Sequence, residues 1–371
     1  MSPSPTLPAD ATGAATELPR PAAASATLVP YRDIEDFGQA LLMARGMRPA
    51  DAACVARTLV WADLHGVPSH GSALFPVYLK WIAAGDMDPT AAPSLSAREG
   101  SRFTLDGNHC VGAVAMTQAA HSAIEIARQT GLCVATIRDT THTGAIGRYG
   151  SMIAERGCAA LALVAGPPLM AYHGARVPSA STSPVMFALP GPDNEPVVFD
   201  MATSLVSFRR LQQARASGEA LPDGAAIDLD GVVTSDASRA RIPLPIAGPK
   251  GSGLSIMIEM LVSLVAGNPL VTDHLRPDGA RRHSQNALLL VLDVAAFRPL
   301  QDFRDDMAGL IETIKGLPMA AGFTEIRMPG ERGQHLAAQR ATSGIPIPPA
   351  VHAEMRLAAT ELGVPLPASL A

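Results

Sequence analysis

Several features that would point to particular functions are scarce in this chain of 371 residues. Aromatic residues make up 4%, and 29 basic side chains face 34 acidic ones without an extended basic run, so we expect no nucleic-acid partner. The cysteines lack the close spacing of zinc knuckles and redox motifs, which favours reduced thiols in a cytoplasmic protein and no bound metal. They are Cys54, Cys110, Cys133 and Cys158.

A long hydrophobic run is also missing. The most apolar segment, GLSIMIEMLVSLVAG at 253–267, carries Glu259 and two serines, which predicts a buried helix and no membrane partner. Residues 1–28 combine Pro, Ala, Ser and Thr without a continuous apolar core, so we expect a disordered tail and no secretion signal. With 47% hydrophobic residues, the chain can form two domains with well-packed cores.

Two common nucleotide-binding fingerprints are absent. After about residue 105 helix and strand patterns alternate, which by itself suggests a doubly wound nucleotide-binding domain. However, no G-x-G-x-x-G joins a strand to a helix, and GPKGSG at 248–253 is no Walker A loop because glycine follows its lysine. A nucleotide bound in either of these ways is therefore excluded.

The first hundred residues are helical in pattern. Helices are predicted from Asp33, as N-cap, to Gly46, and then over 49–66 and 75–85. Beyond them, helices are predicted at 114–131, 147–157, 252–266 and 301–316, and strands at 132–140, 158–166, 183–191, 195–203 and 286–294. Two further helices, separated by GIPIPP at 344–349, end the chain.

Two histidines stand five positions apart in DLHGVPSHGS at 63–72. A zinc pair on one helix face needs a spacing of four, whereas five rotates His70 away from His65, and Pro68 interrupts the helix between them. A shared helical metal site is therefore excluded. The alternatives are a loop past a helix end that projects Ser69 and His70 into a cleft, or loop residues without a chemical task.

Seven short stretches in a fixed order narrow the choice: GVPSHG (66–71), THTGAIG (141–147), STSPVMFALP (181–190), FDMATS (199–204), GPKGSGLSIMIEML (248–261), MPGE (328–331) and GIPIPP (344–349). Together they resemble the type 2 malate/L-lactate dehydrogenase family over roughly residues 30–365. The resemblance implies an α+β fold, in which a non-Rossmann nicotinamide-binding domain has a mixed sheet and both ends of the chain form a helical domain. We expect helical parts at 29–105 and 299–371, the α+β domain at 106–298, NADP or NAD as cofactor, and a homodimer.

The resemblance also assigns chemical roles. Enzymes of this kind move hydride between nicotinamide and a carbonyl or imine carbon, while a protein group supplies or removes the accompanying proton. Histidine suits this task because its ordinary pKa lies near neutrality. The family's usual proton donor corresponds to His70, with Ser69 orienting its ring, and His142 contacts the nicotinamide side and takes the acid/base role in some members. We favour His70 as the donor.

The family motifs predict which residues contact the cofactor. Asp200 either binds a ribose or caps the following turn, and Lys250 either attracts a phosphate or lies on a helix N-cap. The full set is His142, Thr143, Gly144, Thr182, Ser183, Pro184, Asp200, Met201, Ala202, Lys250, Gly251, Pro329, Gly330 and Glu331. The histidines expected to be structural are His65, His109, His121, His173, His274, His283, His335 and His352.

The chain departs from the family pattern at Leu74, where typical members carry an arginine that holds the substrate carboxylate. Leucine cannot make that contact, so simple 2-oxo acids such as pyruvate should be poor substrates unless Arg209 or Arg210 replaces the arginine. Two functions stay open. One is an NAD(P)H-dependent oxidoreductase acting on a small 2-oxo acid, 2-hydroxy acid or cyclic imine, which the retained motifs favour. The other is a catalytically silent relative that binds nucleotide or serves as a dimer scaffold.

Overall fold

The computed structural model describes residues 26–279 and 283–371 of the chain. Its α-helices are α1 (Tyr31–Ala44), α2 (Pro49–Leu64), α3 (Phe75–Ala84), α4 (Gly112–Thr130), α5 (Gly147–Ala154), α6 (Phe208–Ser217), α7 (Pro249–Glu259), α8 (Val271–Leu275), α9 (Leu300–Lys315), α10 (Glu331–Ser343) and α11 (Pro349–Leu362). Its strands are β1 (Thr27–Val29), β2 (Ser94–Glu99), β3 (Arg102–Asp106), β4 (Leu132–Thr140), β5 (Cys158–Ala165), β6 (Met170–Ala171), β7 (Pro178–Ala180), β8 (Val185–Leu189), β9 (Val197–Met201), β10 (Ala226–Ile227), β11 (Val233–Thr234), β12 (Ile242–Pro243), β13 (Gln285–Asp293) and β14 (Ile345–Ile347).

A mixed sheet of seven strands forms the centre of the fold, in the order β2-β3-β4-β13-β5-β8-β9. The β3–β4 pair is parallel and the other neighbouring pairs are antiparallel. Side chains alternate between the two faces along β13: Leu289 packs in the core with α4 and α5, whereas Leu288 packs with Ile258 of α7. Helices therefore cover both faces of the sheet.

The register of the sheet brings five strand ends to one side, which we call the upper edge. Thr140 at the end of β4 pairs with Gln285 at the start of β13, and Val185 at the start of β8 pairs with Met201 at the end of β9. Strand β5 ends at the same edge because it runs antiparallel to both β13 and β8. Segments that are distant in sequence therefore meet at this edge.

Both ends of the described chain build a second unit, the helical body, from β1, α1, α2, α3, α10, β14 and α11. Strands β1 and β14 form an antiparallel ladder that places Val29 opposite Ile345. These residues share one buried core with Leu41 of α1, Phe75 of α3 and Met355 of α11. The helical body therefore depends on residues from the beginning and from the end of the chain.

The structure corrects three expectations for the first part of the chain. Thr27 and Leu28, expected in the disordered tail, lie in β1, because their backbone pairs with β14; residues 1–25 of that tail lie outside the described residues. Strand β2 and all but the last residue of β3 lie before residue 106, where the α+β domain was expected to begin, yet both strands belong to the sheet. Helix α1 begins two residues before Asp33, after Pro30, so Asp33 is not its N-cap.

Most predicted helices and strands are confirmed, and β4 has the predicted bounds. The helix predicted over 252–266 begins earlier, at Pro249, and continues beyond Glu259 as a π-helical turn over Met260–Leu264. The Glu259 carboxylate accepts hydrogen bonds from the Ser263 hydroxyl and from the backbone N–H of Leu270, which ties this turn to the next segment. Across 26–279 and 283–371, every helix is too short or too polar to span a membrane.

Candidate active site

A cleft of about 1150 Å³ lies between the upper edge of the sheet and the helical body. Its lining comes from the turn after α2, the segment between β4 and α5, the residues around β8 and β9, the start of α6, and 328–337. The volume slightly exceeds the roughly 300–1,000 Å³ typical of small-molecule pockets, so the cleft has room for a large cofactor with a second small molecule.

The first group in the cleft is His70, on a short 3₁₀ turn that follows α2. The turn begins after Gly66, whose φ of 74° lets the chain leave the helix, as predicted from the sequence. The Ser69 hydroxyl lies 2.9 Å from Nδ1 of His70, which orients the ring. Burial, with a smaller effect of the nearby Arg209 charge, lowers the pKa of His70 to about 4, so its imidazole is neutral near pH 7.

A second histidine, His142, lies parallel to His70, with 5.4 Å between ring centroids and 19° between planes. The Tyr78 hydroxyl is 2.7 Å from Nδ1 of His142. Burial raises the pKa of Tyr78 above its ordinary value, so this hydroxyl is protonated and donates to Nδ1. His142 therefore carries its ring hydrogen on Nε2, while burial holds its pKa well below the ordinary value.

Removing that hydroxyl gives a first test of the arrangement. In Tyr78→Phe we expect kcat/KM to fall about 3- to 10-fold, because a net hydrogen bond is worth about 0.5–1.5 kcal/mol and the His142 tautomer is no longer fixed. Nitrogen NMR of His142 should show Nε2–H in the unaltered chain and a tautomer mixture in the variant.

The matched control for Tyr78→Phe is Tyr149→Phe, which removes a buried hydroxyl that donates to the backbone oxygen of Thr143 at 2.5 Å. It should leave the His142 tautomer unchanged. An unchanged tautomer in Tyr78→Phe would contradict the proposed orientation of His142.

Aromatic and histidine rings extend the cleft wall beyond the two predicted histidines. Trp81 lies 4.2 Å from His283 and 5.6 Å from Tyr78 between ring centroids. His65 stacks on Trp61 at 3.9 Å and also lines the cleft. His65 and His283, which were predicted to be structural, both lie in this wall. In the described ranges, no group of three or more His, Cys, Asp or Glu side chains could hold a metal ion.

Most of the residues expected to contact the cofactor do line the cleft: His142, Thr143, Gly144, Thr182, Pro184, Asp200, Met201, Ala202 and Gly330. They come together because the ends of β4 and β9 and the start of β8 meet at the upper edge. Oδ2 of Asp200 accepts a hydrogen bond from the Gly147 N–H, at the start of α5, at 2.7 Å. Asp200 therefore caps a helix while lying in the cleft.

The other expected cofactor residues do not line the cleft: Ser183, Lys250, Gly251, Pro329 and Glu331. Ser183 is buried against α7, with its hydroxyl 3.2 Å from that of Ser255. Gly251 packs so closely that an added Cβ would lie 2.2 Å from the backbone oxygen of Ile246, and Lys250 beside it is exposed. Glu331 accepts from the Met328 N–H and from Lys315.

The structure distinguishes between the two candidate arginines. Arg209 lines the cleft beside Leu74, and its Nη2 donates to the backbone oxygen of Ala73 at 2.9 Å. Its Nε is buried without a hydrogen-bond partner. Arg210 instead pairs with the Glu219 carboxylate through both terminal nitrogens, at 3.1 and 2.5 Å, and does not line the cleft. Of these two arginines, Arg209 is therefore the one whose guanidinium is available to a bound anion.

Residues 29–356 match the family model described as malate/L-lactate dehydrogenase. The chain belongs to this family. The resemblance inferred from the motifs is thereby confirmed, and the chain is an NAD(P)-dependent dehydrogenase of the malate/L-lactate dehydrogenase family with a small-molecule substrate.

Curated relatives in this family differ in substrate and cofactor. The chain is 30% identical to Δ1-pyrroline-2-carboxylate/Δ1-piperideine-2-carboxylate reductase of Pseudomonas putida, over 84% of this chain and 91% of the relative. It is 30% identical to (2R)-3-sulfolactate dehydrogenase (NADP(+)) of Chromohalobacter salexigens, over 89% and 97%. It is 29% identical to ureidoglycolate dehydrogenase (NAD(+)) of Escherichia coli, over 81% and 87%. The cofactor of this dehydrogenase is accordingly NAD or NADP.

A solved structure supports the same fold. Malate dehydrogenase from Entamoeba histolytica superposes with a TM-score of 0.87 at 25% identity, over 92% of this chain and 99% of that chain. The mixed sheet flanked by helices is thus the arrangement of an established malate dehydrogenase.

The cleft of this dehydrogenase fits a dinucleotide chemically. Arg148 and Arg332 line it and offer guanidinium groups to phosphates, while Leu169, Pro184 and Met201 offer apolar surface to flat rings. The buried, unpaired Nε of Arg209 is a further donor without a protein acceptor. The residues present are therefore suited to an anionic cofactor and an anionic substrate.

Proposed function

We propose that this dehydrogenase transfers hydride between nicotinamide and the carbonyl or imine carbon of a small carboxylate, with His70 as the proton-transferring group. The observation that carries the proposal is the stacking of His70 on His142 within a cleft that Arg209 also lines. When bound, the nicotinamide supplies or accepts the hydride. His70 holds or releases the proton at Nε2, because Ser69 occupies Nδ1.

Arg209 is proposed to hold the substrate carboxylate, in place of the arginine that family members carry at the position of Leu74. Leu74 is 4% exposed and apolar, so it contributes only packing to the cleft wall. Arg209 reaches the same turn from α6, through its bond to the Ala73 oxygen, and keeps Nε unpaired. A planar guanidinium can bind a carboxylate through two nitrogens, which supports this role.

The cofactor is proposed to bind at the upper edge of the sheet, in a non-Rossmann manner. The sheet has one parallel pair, β3–β4, so it lacks the run of parallel strands that a doubly wound fold uses. Arg148, Arg332, His142 and Thr182 line the cleft. The two arginines are proposed to bind the phosphates, and His142 and Thr182 to contact the nicotinamide side. A fluorescence titration with NADH and NADPH tests binding, and coenzyme oxidation with 2-oxo acids and cyclic imine carboxylates tests turnover. Binding without any turnover would favour the silent scaffold.

The homodimer also remains a proposal, supported by an exposed apolar face. Helix α7 and the π-helical turn after it were predicted to form a buried helix, but they instead expose Leu254, Met257, Met260, Leu261, Leu264 and Val265. A contiguous apolar surface of this kind is more often part of an interface than left exposed to solvent. The molar mass from light scattering tests whether a second copy covers it.

The low pKa of His70 predicts unequal pH dependence in the two directions. Reduction consumes one proton, so the ratio of reduction to oxidation kcat/KM must fall about tenfold for each unit that pH rises. Because burial lowers the pKa of His70 to about 4, the free protein holds neutral imidazole between about pH 6 and 8, the form that oxidation needs. We expect kcat/KM for malate oxidation to stay constant over this pH range. The fall in the ratio should therefore come entirely from a decrease in kcat/KM for oxaloacetate reduction as pH rises.

Initial rates with malate and oxaloacetate at constant ionic strength provide the measurement; the lactate and pyruvate pair serves if those turn over faster. A midpoint near pH 7 in the oxidation profile would contradict the assigned state of His70.

A further inference from the structure

The turn that carries His70 wraps around a buried carboxylate that the reaction described above does not use. Asp63, in the last turn of α2, is 4% exposed. Its Oδ2 accepts a hydrogen bond from the Ser72 N–H at 2.7 Å. A Cβ on Gly71 would lie 1.8 Å from Oδ1, so glycine is required for the backbone to approach the carboxylate this closely. The residue directly after His70 thus packs on Asp63.

Positive charge surrounds this carboxylate on two sides. Arg209 binds the Ala73 oxygen on the same turn, and Arg340 of α10 donates to the backbone oxygen of Asp63. Burial raises the pKa of Asp63 to about 6, while hydrogen bonds from Ser72 and the charges of Arg340 and Arg209 act in the opposite direction. Burial lowers the pKa of Arg209, and the charges of Glu354, Tyr78 and, to a smaller extent, Asp63 act in the opposite direction.

Two charged side chains therefore hold the turn in place, each through a hydrogen bond to a neighbouring backbone group. Asp63 holds the N–H of Ser72, and Arg209 holds the carbonyl of Ala73. The position of the His70 ring relative to the Arg209 guanidinium depends on both bonds, since only a few backbone torsions separate them. A misplacement of about 1 Å can lower a rate about 10²-fold.

We propose that Asp63 is a positioning residue of this dehydrogenase, whose carboxylate sets the distance between the proton-transferring His70 and the carboxylate-binding Arg209. The inference rests on the proposed roles of those two residues. Asp63 contacts neither substrate nor cofactor in this role; it acts through the backbone of Gly71 and Ser72 and through its charge on Arg209.

The test compares Asp63→Asn and Asp63→Ala with the unaltered protein. Asparagine keeps an oxygen that can accept from Ser72 but loses the charge, whereas alanine loses both. We expect kcat to fall roughly 3- to 10-fold in Asp63→Asn and 10- to 100-fold in Asp63→Ala, following the misplacement of His70. The dissociation constant for NADPH or NADH, from fluorescence, should stay within about twofold because the phosphate-binding side is not altered.

Asp228→Asn is the matched control. Asp228 is 6% exposed, and its carboxylate accepts from the Val232 N–H and from Arg239, outside the cleft. This variant should lower the melting temperature and leave kcat unchanged. If the two Asp63 variants behave in the same way, with lower melting temperature and unchanged kcat, the carboxylate is only structural and the inference is overturned.

A third variant separates this inference from the proposed function. If His70→Ala keeps full turnover, the proposed function itself fails. Asp63→Asn keeps the shape of the side chain. If His70→Ala loses turnover but Asp63→Asn keeps full turnover, only the positioning role fails. A graded loss in the order Asp63→Asn then Asp63→Ala, with intact cofactor binding, supports the inference.

Discussion

Reduction by the His70→Ala variant is expected to be about 10² to 10⁴ times slower than by the unaltered chain, the range for loss of a positioned general acid. His70 is the histidine whose Nδ1 is oriented by Ser69 and whose ring stacks on His142, so its removal leaves the substrate oxygen or nitrogen without a proton source. Coenzyme binding should stay nearly intact. Steady-state coenzyme oxidation and a fluorescence titration measure the two quantities.

His121→Ala serves as the control for this variant, because His121 is exposed on α4 and does not line the cleft. It should retain full turnover. If His142→Ala abolished turnover and His70→Ala did not, the roles of the two histidines would have to be exchanged.

Arg209→Ala should lower kcat/KM for a carboxylate substrate about 10- to 150-fold, equivalent to the 1.5–3 kcal/mol of a charge-assisted hydrogen bond. The loss follows because Leu74 offers the carboxylate no replacement donor. Introducing Leu74→Arg into the Arg209→Ala chain restores a guanidinium to the same wall of the cleft and should recover part of the loss. Efficiencies on pyruvate, oxaloacetate and a cyclic imine carboxylate provide the measurement.

Arg210→Ala is the sequence-adjacent control, since Arg210 is paired with Glu219 outside the cleft. Its kcat/KM should stay near that of the unaltered chain. An Arg209→Ala variant with unchanged efficiency on all three substrates would show that another group binds the carboxylate, and efficient pyruvate turnover would then have to be explained without Arg209.

The strands that the sequence predicts well are those with a clear burial pattern. Strand β4 alternates buried and half-buried residues along most of its length, and its bounds match the predicted 132–140. Strand β2 was missed because all six of its residues are exposed, so hydrophobic alternation gives no signal there. Strand β1 has three residues and is specified by its pairing with β14, which no local pattern reveals.

The residues of the candidate site likewise divide into those that the sequence predicts and those that it does not. Motif order predicts Ser69, His70 and His142, and the structure brings all three into one cleft. Tyr78 and Trp81 lie in a segment whose sequence indicates only a helix, and their role appears when α3 packs beside the cleft. Lys250 was expected there by motif alone, but the close packing of the first turn of α7 leaves it exposed elsewhere.

The β1–β14 ladder has a consequence for biosynthesis. It joins residue 27 to residue 347, so the helical body cannot close until residue 347 has left the ribosome. Strand β13 is the last strand of the seven-stranded sheet in chain order, so the sheet can assemble before the ladder forms. The cleft needs both units, since Trp81 of α3 and Arg332 of α10 also line it. A nascent chain of this dehydrogenase therefore completes its helical body last, and a chain that ends before β14 lacks the strand that pairs with β1.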